Sequence, residues 1–175
     1  MKKFALAAIC LALSGPAFAQ SITEKTGVNS VLGIAPSTAD FVSEAAISDM
    51  FEIASSQLAV EKSDAPTQAF AKQMIADHEK TAASLKAFAV SGAIKEAIPT
   101  DLDSAHQDML DKLKGLSGTD FTTQYHSDQV SAHKDAVSLF QRYGKGGDNP
   151  ALKAWASQTL PTLSQHLDMA EALNK

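Results

Sequence analysis

A chain of 175 residues, 45% of them hydrophobic, is long enough for one domain with a sizeable core. Its 20 acidic residues outnumber 15 basic ones, and a net charge of −5 without a basic stripe argues against nucleic acid or anionic lipid as a partner. One cysteine cannot form an internal disulfide, so the fold has to rest on its apolar core.

The first residues set the expected compartment. Met1-Lys2-Lys3 is a short basic start, and Phe4 to Leu13 is an apolar run. Ser14-Gly15-Pro16 breaks it, and Ala17-Phe18-Ala19 before Gln20 has the A-x-A form of a cleavage site. That order is the order of a secretory signal peptide, and the run is too short to span a bilayer. Cys10 follows Ile9 inside the run rather than standing at the cleavage point, which argues against lipidation. Residues 1–19 are therefore expected to be a signal peptide, and the mature chain to be periplasmic, without a transmembrane segment. Cleavage would remove Cys10, Lys2 and Lys3, leaving 13 basic against 20 acidic residues, no thiol ligand and no cysteine nucleophile.

Residues 20–36, with Gly27, Gly33 and Pro36 and little periodicity, are predicted to be a flexible N-terminal arm. The bundle domain is then expected over 37–175. A first long helix should start at Ser37, with Asp40 as a capping-box variant. Its apolar seam reads Phe41, Ala45, Ser48, Glu52, Ser55, Ala59, widened by Phe51, Ala54 and Leu58. Asp64-Ala65-Pro66 is a cap followed by a first-turn proline, so a second helix begins there. Its seam is Ala71, Met74, His78, Thr81, Leu85, Phe88, and Gly92 is its stop. The short link between the two predicts an antiparallel pair.

Residues 93–119 read as a connection carrying a short amphipathic helix from about Asp101 to Leu116, with Leu102, His106, Met109, Leu113 and Leu116 on one side. A third long helix is expected from Thr119 or Asp120 to Tyr143, with the stripe Phe121, Tyr125, Gln129, His133, Ala136, Phe140. Asp148-Asn149-Pro150 restarts the chain. The last seam is Leu152, Ala156, Thr159, Leu163, His166, Ala170, Leu173, and Pro161 inside it predicts a kink near Leu160. No segment alternates with a period of two. The fold class is all-α: a ferritin-like four-helix bundle whose long central crossover contains a short extra helix.

Three of the four seams carry a histidine (His78, His133, His166), and the fourth carries Glu52 beside the small residues Ser48, Ser55 and Ser56. Four nitrogen and oxygen donors converging in a bundle core would suit one transition-metal ion, namely zinc, copper, iron or manganese. The competing reading is a metal-free polar network. In it Glu52 accepts hydrogen bonds from the histidines, and Gln129 and Thr159 satisfy the remainder. Glu44, two turns from Glu52, is a secondary ligand candidate. Asp77 is either an acceptor orienting a histidine ring or a solvated surface group. His126 and His106 read as peripheral. Met74 and Met169 neighbour the histidines in sequence, which is compatible with copper(I), but methionine as core filler is commoner.

The segments Phe70-Ala71-Lys72-Gln73-Met74-Ile75-Ala76-Asp77-His78, Gln129-Val130-Ser131-Ala132-His133, Asn149-Pro150-Ala151-Leu152 and Thr159 to Leu167, in this order behind a signal peptide, resemble a bacterial family of exported ferritin-like domains of unknown function. Its members often carry an outer-membrane label. The resemblance covers about Ala39 to Leu173 and implies a helical bundle in a Gram-negative envelope, with no activity assigned. Ferritin-like di-iron proteins place Glu-x-x-His on two helices. Here Ile75 and Leu163 stand three residues before His78 and His166, so both bridging carboxylates are missing and a single-metal site is the more consistent expectation. The reading that competes with metal binding is a non-catalytic interaction module docking an envelope protein partner. Its mark would be an exposed apolar patch, for example around Val31-Leu32 or on the short connecting helix.

Overall fold

A computed structural model of the chain describes Ser21, Glu24 and residues 27–175; the expected signal peptide lies outside the described residues. The described residues form six helices: α1 (Val28–Leu32), α2 (Thr38–Lys62), α3 (Ala65–Val90), α4 (Ser104–Gly115), α5 (Gly118–Gly146) and α6 (Pro150–Leu173). No strand occurs among them, and no described helix is long and apolar enough to cross a membrane.

Local chemistry sets the helix starts. The Ser37 side chain accepts from the Asp40 backbone N–H at the head of α2, and its hydroxyl donates to the Asp40 carboxylate at 2.9 Å. Asp64 caps α3 through the Thr67 N–H, and Asp103 caps α4 through the His106 N–H. Asn149 accepts from both Ala151 and Leu152 to open α6. Gly92, at φ 74°, takes the left-handed turn that ends α3. Helix α5 runs on to Gly146, past the stop predicted at Tyr143, because it packs along α6 and tertiary burial outweighs the low helix propensity of Gly144 and Gly146. Helix α6 is continuous from Pro150 to Leu173 with Pro161 inside it.

Helices α2 and α3 form one tightly packed hairpin, α5 and α6 the other, and α2 joins them by packing on α5. The core is divided. One apolar cluster holds Phe41, Val42, Leu85, Phe140, Tyr143, Leu152 and Leu163. The other holds Ala59, Phe70, Met74, Leu113, Phe121, Tyr125 and Ala170. Read in chain order, α2 and α6 run from the first cluster to the second, and α3 and α5 run back. The crossover from α3 to α5 must therefore traverse the bundle, which is the ferritin-like arrangement. Ile94 on this crossover is buried in the first cluster, and α4 buries Leu110 and Leu113, so Leu110 takes the inward place expected of Met109. Lys62, in the last turn of α2, donates to the Leu113, Lys114 and Leu116 carbonyls and so closes the C-terminal end of α4.

Gly27 and Gly33, both left-handed, flank the single helical turn of α1. Glu24 forms an ion pair with Arg142 of α5 at 2.5 Å, both side chains being buried. Together α1, α2, the start of α4 and α5 enclose a cavity of about 490 Å³ that includes Glu44. Burial, followed by the neighbouring Glu24 carboxylate, pushes the Glu44 carboxyl up to about 8.

Phe41 is fully buried, stacked on Tyr143 with centroids 3.9 Å apart and edge-on to Phe140 and Trp155. Phe41→Ala should cost about 3–5 kcal/mol in urea unfolding, through lost transfer energy and a cavity. Glu44 gives a pH signature. Its folded value of about 8 lies above the ordinary 4.5, so the folded chain holds more protons than the unfolded chain between those values. Stability contributed by the protonated group is present at low pH and falls as pH rises through that window, by at most about 1.4 kcal/mol per pH unit. Glu44→Gln should flatten this slope in urea titrations across the window.

Candidate metal centre

Between the two apolar clusters lies a polar layer, about two turns deep on α2. Helix α2 brings Asp49, Glu52, Ser55 and Ser56; α3 brings His78; α5 brings Gln129 and His133; α6 brings His166. All eight are at least nine-tenths buried, and the three histidines are no more than 2% exposed. Each imidazole faces inward because its neighbours on the seam do: Met74 and Leu85 flank His78, Ala136 follows His133, and Leu163 and Ala170 flank His166.

The three histidines converge. One ring nitrogen of each lies within 4.8 Å of the others, and ring centroids are 5.4–5.7 Å apart. On each ring one nitrogen is held. His78 Nδ1 donates to Asp49 Oδ1 at 2.8 Å, His133 Nδ1 to the Gln129 carbonyl at 2.9 Å, and His166 Nε2 to Asp77 Oδ2 at 3.1 Å. A carbonyl or carboxylate oxygen only accepts, so each of these nitrogens carries the proton, and in the neutral ring the opposite one presents a lone pair. Those opposite atoms, His78 Nε2, His133 Nε2 and His166 Nδ1, are buried without a hydrogen-bond partner among the described residues. Imidazoles that ligate metal are oriented in this way.

Acceptors are in surplus throughout the layer. Both Glu52 oxygens, Asp49 Oδ2 and Gln129 Oε1 are also buried and unpartnered. The metal-free network expected from sequence required Glu52 to accept from histidine, yet the nearest imidazole nitrogen, His133 Nδ1, is 3.8 Å away and donates to Gln129 instead. Thr159 lies on the wall of a cavity beside His166. Glu52 does not belong to the group that closes within 4.8 Å, which consists of the three histidines alone.

Protonation favours lone pairs on two of the rings. Burial, reinforced by the neighbouring His133 and His78, pulls His166 down to about 4, and burial likewise lowers His133. Burial opposes charge on His78 too, but the hydrogen bond to Asp49 and the nearby carboxylates of Glu52, Asp49 and Asp77 outweigh it and raise that imidazole. Thr81 adds a hydroxyl hydrogen bond to Asp49 at 2.5 Å, fixing the carboxylate that fixes the ring.

The remaining candidates fall elsewhere. Glu44 lines the cavity under the arm rather than the histidine cluster. His126 shares a hydrogen bond with Thr67 at 2.9 Å, and His106 binds Asp103 at 2.7 Å and packs edge-on to Phe51. Met74 is buried in the second apolar cluster, with Met169 packed against it. Asp77 takes the ring-orienting role, not the solvated one. Asp49 was missed: the seam was drawn through Ser48, but Asp49 is the buried neighbour. Its signal was the spacing Asp49-x-x-Glu52, two acids one turn apart inside an apolar helix.

No curated protein and no solved structure matches the chain. A family model does: the domain of unknown function DUF4142 matches residues 23–173. Spanning nearly all of the described bundle, that match makes this chain a member of the DUF4142 family.

Proposed function

We propose that the domain binds one divalent transition-metal ion through His78, His133 and His166, as a periplasmic protein for metal storage, buffering or stress protection. One observation carries the reading: three buried imidazoles within 4.8 Å of one another each have one nitrogen tied to an oxygen acceptor and the other unpartnered. An ion shared by those nitrogens would offset the cost of leaving them buried and unpaired. Three neutral imidazoles without a thiolate suit zinc, copper(II), iron(II) or manganese. Glu52 would balance the ion's charge from beside His133, or reach it as a fourth ligand by a change of side-chain rotamer. The basic, apolar and A-x-A order of residues 1–19 supports export, and any tie to the outer membrane would run through a protein partner.

A second reading has its own observation. Val28, Val31, Leu32 and Ile34 are 45–87% exposed on and beside α1, an apolar patch suited to a non-catalytic envelope interaction module. Metal dependence separates the two.

A ligand bound only by the folded state stabilises it by mass action, about 2.7 kcal/mol at a hundredfold excess over Kd. Thermal melting of residues 20–175 should therefore shift upward by several degrees with at least one of zinc, copper(II), iron(II) or manganese. A folded His78→Ala, His133→Ala double variant should show no shift. Equal shifts in both proteins, or none with any of the four ions in the wild type, would sink the metal reading.

A further inference from the structure

Helices α3 and α6 touch over only a short stretch of the bundle, and a cavity of about 350 Å³ opens between them. His78 and His166, two of the three converging rings, form part of its wall. Both are at least nine-tenths buried, and each retains an unpartnered nitrogen. The rest of the wall is mixed: Trp155 and Leu163 are apolar, and the remaining residues are polar. Ser84 stands on the α3 side and Thr159 and Thr162 on the α6 side, with Lys80 at the edge, paired to Asp77 at 2.9 Å.

An ion held by three imidazoles keeps at least one coordination position for a non-protein ligand, as zinc sites with three protein donors do. Glu52 lies outside the converging group and beside the opposite face of His133, so it does not close that position as the side chains stand. The cavity volume falls in the range of small-molecule pockets, and its hydroxyls supply hydrogen bonds that an apolar core would not. A divalent ion on neutral ligands draws an anion or a polarised water to the open position.

We infer that this cavity is the ligand chamber of the centre: a small exogenous anion or water enters between α3 and α6, coordinates the ion, and rests against the Thr159 and Thr162 hydroxyls. The inference rests on the metal reading above and extends it from a closed store to an accessible centre.

Cobalt(II) and azide test it on the chain from residue 20. Cobalt(II) should give visible d–d bands that are absent from the His78→Ala, His133→Ala variant. Azide should then change those bands saturably. Thr159→Phe, which fills the chamber without touching a ligand, should keep the cobalt bands and weaken azide binding by at least about tenfold. Cobalt bands that azide leaves unchanged would overturn the chamber while leaving the metal site standing. An undiminished azide response in Thr159→Phe would overturn the assignment of this cavity. Absence of cobalt bands from the wild type would instead bring down the metal reading, and the chamber with it.

Discussion

Everything in this bundle is arranged around one layer in which hydrogen-bond acceptors outnumber donors. Above and below it, two apolar clusters supply the stabilising burial. Within it, three imidazole nitrogens, both oxygens of Glu52 and one of Asp49 are buried without partners. Protons or a metal cation can reconcile so many lone pairs. Continuous apolar packing through this level would be as stable or more so, since buried ionisable groups are weak contributors to stability. The layer is therefore an expense that stability alone does not explain.

The topology delivers the layer. Two antiparallel hairpins joined by a crossover bring one inward position from each of four long helices to the same height. Rigid helices hold the histidine backbones, and Asp49, the Gln129 carbonyl and Asp77 hold the rings. In a neutral ring each of these three acceptors leaves the lone pair on the nitrogen opposite, so ring orientation and tautomer are set by the same contacts. Packing is tightest within the hairpins and sparse between α3 and α6, and that unevenness leaves a cavity beside two of the histidines.

Helix starts and the buried histidines were legible in the sequence because each rests on local signals: Ser37, Asp64 and Asn149 as caps, and the period of the apolar seams. The convergence of His78, His133 and His166 was legible for the same reason, each standing on its own seam. What sequence could not rank was α2. Packed against α3, α5 and α4, it buries more than half of its 25 residues, so a single stripe underdescribes it, and Asp49 was passed over for Ser48. The place of Glu52 was equally opaque. Its burial follows from the seam, but whether its oxygens meet the histidine nitrogens depends on rotamers, and they stop beside His133. The end of α5 was misjudged because Gly144 and Gly146 read as a stop when only packing on α6 decides.

The central claim is that three imidazoles share one ion, and X-ray absorption at the metal edge of the zinc-loaded protein addresses it directly. Three imidazole nitrogens at about 2.0–2.1 Å, with oxygen completing the coordination, is the predicted result. A shell of oxygen donors alone, or zinc bound without imidazole scattering, would contradict it.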